Sequence, residues 1–218
     1  MTTLRCRIAV ATRAHADAVF DVRRAAYRAA PEFDWKDEAA LAWNDADDTG
    51  TVLGLWDEHG TLLSTMRATA FGSRAAAEAY LEYSLDGAAV GLPTLVFSRA
   101  ATRPDAARHG LFARMRAAYL AALPATPLQS LAAIVYEGGP RLRSMADAGY
   151  AFTQPRAGWD SEAVARSAPL LAVLPRSRFG DALAWVRASA EDALAATTID
   201  VNGIARAFAA QCGTTPAR

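Results

Sequence analysis

Between Thr94 and Leu123 the chain passes from a β-rich apolar run, Thr94 to Ala101, into a helix-forming stretch that starts at Leu111 and carries Phe112, Met115 and Tyr119 on one face. The join is a turn containing Arg103, Pro104, Arg108, His109 and Gly110. A buried strand followed so closely by a helix points to layered α/β architecture, and the rest of the chain alternates in the same way. Arg5 to Ala11 reads as a first strand. Thr12 can cap a helix with Val19, Val22 and Ala26 at helical spacing, which Pro31 ends. Thr51 to Trp56 and Leu62 to Phe71 read as a hairpin around Asp57-Glu58-His59-Gly60, followed by an amphipathic helix from Arg74 to Leu85. Leu128 to Tyr136 reads as another strand and Pro140 to Ala148 as a short helix capped by Gly149, with a further strand from Tyr150. Pro169 to Leu174 reads as a last strand, then a helix from Phe179 to about Leu194 and a weaker helical tail.

Composition removes several classes of function. Of 218 residues, 52% are hydrophobic and 21% charged, as in a folded globular protein and unlike a disordered one. Positive and negative charges balance at 23 each, so no basic excess points to a nucleic acid or an anionic membrane. Lys36 is the only lysine and alanine is abundant, a bias that makes alanine runs weak evidence for helix. Cys6 and Cys212 lie near opposite ends with no clustered histidines, which predicts free thiols and no metal site. No apolar run nears the roughly 20 residues that span a bilayer, and the expected location is cytoplasmic.

The turn before Leu111 is where chemistry is legible. Backbone N–H groups at a helix N-terminus, a glycine that permits close approach and nearby arginines suit a phosphate, although an ordinary turn with a solvated arginine fits the same residues. The order of elements, with Thr102-Arg103-Pro104, Arg108-His109-Gly110 and the closing Ala148-Gly149-Tyr150-Ala151-Phe152, resembles the GNAT superfamily of acyltransferases. Residues 20 to 155 resemble more closely the branch of acyl-homoserine lactone (autoinducer) synthases and N-acyl amino acid synthases. The residues that carry this likeness are Arg24, Tyr27, Trp35, Asp45, Asp48, Ser64-Thr65-Met66-Arg67 and Val96-Phe97-Ser98-Arg99. Two positions depart from the pattern: Val96 stands where that branch has a glutamate, and Met145 where many GNAT enzymes have a tyrosine.

The resemblance implies an α/β, three-layer GNAT-like fold, with a central, partly splayed, mostly antiparallel sheet flanked by helices. It implies a domain over 1–175 and a helical extension over 176–218 packing on it. The implied reaction is attack by the amine of an amino acid or other small-molecule acceptor on an acyl-CoA or acyl carrier protein thioester, without a metal. The chain would act as a monomer or homodimer, with an acyl carrier protein as a candidate partner. Arg67 and Arg99 would face the cleft and hold Asp45 and Asp48, and Glu137 would be the candidate base. The donor would lie along Ala100, Ala101, Thr102, Arg108, His109, Gly110 and Leu111, and the substrate against Arg24, Tyr27, Trp35, Phe97 and Ser98. Plainer readings exist for several of these: a solvated sheet face for the arginines, ordinary core for the aromatics, a wet loop for Glu137. Val96 and Met145 also suit a silent carrier-binding module, and a small-amine acetyltransferase is a third reading.

Overall fold

Among the described residues eight strands hydrogen-bond into one sheet, in the order β6-β7-β5-β4-β3-β2-β1-β8. The computed structural model describes residues 4–30, 38–107, 109–139, 141–154 and 168–213. In chain order the elements are β1 (Cys6–Ala11), α1 (Ala16–Ala29), α2 (Asp45–Thr49), β2 (Thr51–Asp57), β3 (Leu62–Phe71), α3 (Arg74–Leu81), β4 (Thr94–Thr102) and α4 (Leu111–Ala122). There follow β5 (Ser130–Tyr136), α5 (Leu142–Asp147), β6 (Ala151–Thr153), β7 (Pro169–Pro175), α6 (Phe179–Ser189), α7 (Glu191–Ala195), β8 (Thr197–Ile199) and α8 (Val201–Gln211). β4 runs parallel to β5 and β1 parallel to β8, while every other neighbouring pair is antiparallel.

Side chains alternate across a strand, so each strand feeds two layers. Leu53, Leu55, Met66, Ala68, Leu95, Phe97 and Leu131 face one side, against the layer that contains α4, α6 and α8. On the other side Val52, Trp56 and Leu62 meet Val19 and Val22 of α1, and Val96, Ala132, Leu171 and Val173 meet α3. Because helices cover both faces, β2 is apolar almost without interruption.

Helix α4 is buried on nearly every side rather than along one stripe. Two of its arginines are therefore inside, and each is held by neutral oxygens: Arg114 donates to the Leu4 carbonyl (2.8 Å) and Thr197 Oγ1 (3.0 Å), and Arg116 to the Ser144 carbonyl (2.8 Å). The helix beginning at Arg74 stops at Leu81, four residues earlier than periodicity suggests. Glu82 there adopts a left-handed backbone (φ 63°), and the Glu78 carboxylate accepts the Leu85 N–H at 2.8 Å.

The C-terminal segment is more than a helical tail. The run from Phe179 breaks at Ala190 into α6 and α7, and Thr197–Ile199 adds a strand beside β1, with Cys6 opposite Thr197. Three residues carry too little periodicity to be read as a strand from sequence. Phe179, Val186, Ile204 and Phe208 enter the same core as Leu95 and Leu120. No helix among the described residues is long and apolar enough to cross a membrane.

Candidate active site

β4 and β5 part company. Their parallel ladder runs from Thr94 opposite Ser130 to Phe97 opposite Ala133, and β5 then continues to Tyr136 paired only with β7. On the other edge of β4 the register jumps: Ser98 pairs with Arg67, but the next pair is Ala101 with Thr65. Arg99 and Ala100 thus oppose Met66 alone, as a β-bulge with an extra residue on β4. Arg99 has φ 52°, a left-handed conformation that costs a non-glycine residue about 1–3 kcal/mol and that the surrounding structure must impose. The extra residue also reverses the alternation, so Ala101 joins the α1 side of the sheet on which Val96 lies against α3.

The gap between the parted strands opens into a cleft of about 710 Å³. All six tyrosines of the chain line it, and on β4 the lining runs from Phe97 through Thr102. Towards α4 and α5 the walls are Phe97, Phe112, Tyr119, Met145 and Tyr150. Phe97 stacks on Tyr119 with ring centroids 4.4 Å apart, and the Tyr119 and Tyr150 hydroxyls are 2.9 Å apart. Burial pushes both phenols above their ordinary pKa. Towards α1 and α3 the lining includes Tyr27, Tyr80, Tyr83, Tyr136 and Arg99. Burial, with Tyr83 and Tyr27 close by, pushes Tyr136 up to about 12, so it is a proton donor and not a base near neutral pH.

Behind this half of the cleft lies a charged network. Asp47 accepts from Arg23 Nη1 at 2.9 Å and Nη2 at 2.6 Å, with both side chains at 0% exposure. Arg67 Nη1 lies 3.6 Å from the same carboxylate and 3.3 Å from Asn44 Oδ1, and its Nε donates to Ser98 Oγ at 3.1 Å. Ser98 Oγ is also 2.7 Å from the Tyr80 hydroxyl, over whose ring the Arg67 guanidinium sits at 5.6 Å. Burial alone would raise the pKa of Asp47, but the Arg23 hydrogen bonds and the charges of Arg23 and Arg67 outweigh it and hold the group below its ordinary value. Arg99 is drawn below its ordinary value, chiefly by burial and further by the positive charges of Arg67 and Arg23.

The structure thus gathers Arg67, Arg99, Tyr27, Phe97 and Ser98 around the parted strands, with Ala100, Ala101 and Thr102 along the same wall. It corrects three of the expected residues. Asp45 and Asp48 do not hold the arginines: α2 turns them, three residues apart, to solvent, where Asp48 binds Arg13 and the Trp43 indole (2.7 Å). Asp47, on the opposite face of that helix, is the buried acid. Arg24 pairs with Asp21 at 2.9 Å on the outer face of α1, and Arg23, in the stripe of Val19 and Val22, takes the inner place. Glu137 lies at the cleft rim, exposed to water. Trp35 and Arg108 lie outside the described residues. Val96 is fully buried against α3 and Met145 nearly so, and neither has a side chain that can move a proton.

In the turn after β4, Arg103 is tied to Asp105 through two hydrogen bonds, 3.0 and 2.7 Å. His109 and Gly110 are exposed, and Leu111 is buried. Gly110 is the N-cap of α4 at φ 65° and has no side chain to cap the helix. No cluster of metal-ligating side chains occurs among the described residues.

This arrangement, a sheet parted at a bulged strand and followed by a glycine turn into a helix, is the fold of the GNAT acyltransferases. Similar solved structures include a CoA-dependent acyl-homoserine lactone synthase, BjaI, with SAM and isopentyl-CoA: TM-score 0.60, 16% identity, covering 94% of this chain and 98% of that one. FeeM, an N-acyl amino acid synthase from uncultured soil microbes, is similar over 81% of this chain and 94% of its own (TM-score 0.55, 14% identity). So is a putative acetyltransferase from Acinetobacter baylyi ADP1, over 80% and 94% (TM-score 0.57, 15% identity). No protein-family model matches the sequence, and no curated protein matches it.

Proposed function

We propose that the chain is an N-acyltransferase that moves an acyl group from a CoA or carrier-protein thioester to the amine of a small-molecule acceptor, amino acids included. The observation that carries this reading is the end of the β4–β5 ladder at Phe97 and Ala133, because a parted edge gives a pantetheine arm a strand to pair with and a cleft for the thioester. The CoA ligands of BjaI and of the Salmonella acetyltransferase yncA, solved with acetyl-CoA, favour a CoA thioester as donor.

In this reaction the amine nitrogen attacks the thioester carbon, the C–N bond forms, and the oxyanion is met by peptide N–H groups of the bulge at Arg99 and Ala100. The C–S bond then breaks and the thiolate takes a proton, while the new ammonium centre gives one up. Glu137 and water at the rim are the acceptors for that proton, since Val96 offers none. Alignment of amine and thioester supplies much of the rate, which lets the chemistry proceed without a tuned base. The aromatic half of the cleft, Phe97 to Tyr150, takes the acyl chain.

The test is thiol release from acetyl-CoA, octanoyl-CoA and acyl carrier protein with a panel of amines. Release with octanoyl exceeding acetyl supports the reading. Acetyl-CoA outperforming octanoyl-CoA indicates a small-amine acetyltransferase, and carrier binding with no turnover indicates the silent module that Val96 and Met145 suit.

A further inference from the structure

Ser98 follows Phe97, where the β4–β5 ladder ends, and is the last residue of β4 in register with β3 before the bulge. Its hydroxyl takes part in two hydrogen bonds. Arg67 Nε donates to Ser98 Oγ at 3.1 Å, and the Tyr80 hydroxyl of α3 lies 2.7 Å from the same oxygen. A guanidinium can only donate, so Ser98 is the acceptor toward Arg67. The Ser98–Tyr80 contact can run in either direction, and in both arrangements two hydroxyl hydrogens share one contact. One hydrogen is therefore left over, and no other acceptor for it occurs among the described residues. Both side chains line the cleft.

Charge decides what that hydrogen can serve. The Arg67 guanidinium sits 5.6 Å from the centre of the Tyr80 ring, with its side chain 8% exposed, and it shares the Asp47 carboxylate with Arg23. A chain of hydrogen bonds that starts at a cation polarises each O–H along it and strengthens donation by the last one. The positive charge behind the pair also opposes uptake of a proton from an ammonium centre and favours a group on which negative charge develops.

We propose that the Ser98–Tyr80 pair is catalytic, and that its remaining hydrogen bonds the oxyanion of the tetrahedral intermediate beside the peptide N–H groups of the bulge. The inference rests on the N-acyltransferase reading and adds to it Tyr80, a residue that the sequence pattern does not mark. The hydroxyl keeps its proton throughout: the hydrogen bond tightens as the amine nitrogen adds to the thioester carbon, and relaxes as the C–S bond breaks and the carbonyl re-forms. Each member of the pair carries a hydrogen, so either one alone serves the oxyanion in part.

The experiment measures thiol release by Tyr80→Phe, Ser98→Ala and the double variant, with the fastest of acetyl-CoA, octanoyl-CoA and acyl carrier protein and the best amine of the panel. Tyr80→Phe keeps the ring that meets Phe71 (5.0 Å between centroids) and Arg67, and each change removes only a hydroxyl. Loss of an oxyanion donor predicts a fall in kcat of roughly a hundredfold in the double variant, with KM and calorimetric affinity for CoA unchanged. Each single variant falls by only about three- to fivefold, so the double loss exceeds the product of the two, as expected of groups that substitute for one another. A double variant with kcat within about threefold of the unaltered protein, single losses that simply multiply, or a loss expressed in KM or CoA affinity would each overturn the proposal and leave N-acyl transfer standing. Release of thiol from none of the three donors by the unaltered protein would overturn both.

Discussion

Arg23 and Asp47 are joined by two hydrogen bonds, 2.9 and 2.6 Å, with neither side chain exposed to water. The pair ties α1 to α2 and sets the carboxylate against Arg67 of β3, so the position of Arg67 beside Ser98 depends on it.

Replacing Asp47 by Ala leaves two buried guanidiniums with no carboxylate, and the expected loss is about 3–5 kcal/mol in urea unfolding. The pH dependence has a definite sign. The folded-state pKa of Asp47 lies below its ordinary value, so its ionised form stabilises the fold above the unfolded pKa of about 3.9 and that contribution is lost as pH falls through the folded pKa. The stability difference between the unaltered protein and Asp47→Asn is therefore flat from pH 7 down to about 5 and shrinks in more acidic solution.

Asp45→Ala and Asp48→Ala behave otherwise. Asp48 meets Arg13 where both side chains reach solvent, and exposed pairs of this kind contribute about 0–1 kcal/mol. Thermal melts of both variants should stay near that of the unaltered chain, and a loss comparable with that of Asp47→Ala would contradict the assignment of the buried acid.

Arg99→Ala is expected to reduce thiol release at least about tenfold more than Arg103→Ala, the scale of a charge-assisted contact. Arg103 is half-buried at the surface and already bound to Asp105, whereas Arg99 lines the cleft at the bulge. Equal effects on kcat/KM would remove Arg99 from the site.

Phe97 and Tyr119 close the aromatic half of the cleft. Phe97→Leu shortens that wall at a modest cost in stability, about 1–2 kcal/mol. It should move the kcat/KM optimum across a ladder of acyl-CoA donors toward longer chains. An unchanged optimum would place the acyl chain elsewhere.

Phe208 of α8 is fully buried in the core shared with β4 and α4. Phe208→Ala should cost about 3–5 kcal/mol and lower a single cooperative unfolding transition. Two separate transitions would mean that residues 176–218 form a unit of their own.

Much of this protein was determined by local sequence. The β-rich runs of β2 and β3, the helical spacing of Val19 and Val22, and the glycine at the start of α4 each act within a few residues, which is why the layered fold and the strand bearing Ser98 and Arg99 are legible without coordinates. The site itself depended on contacts between residues far apart in the chain. Which of Asp45, Asp47 and Asp48 turns inward depends on the phase of a five-residue helix capped by Asn44, and which of Arg23 and Arg24 it meets depends on how α1 rolls on the sheet. The gathering of tyrosines from positions 27 to 150 around one cleft, and the bulge that turns Arg99 into it, arise when β3, β4 and β5 come into register. Periodicity records which face of an element is apolar; only the docking of those faces decides which polar side chains share a buried space and must satisfy one another there.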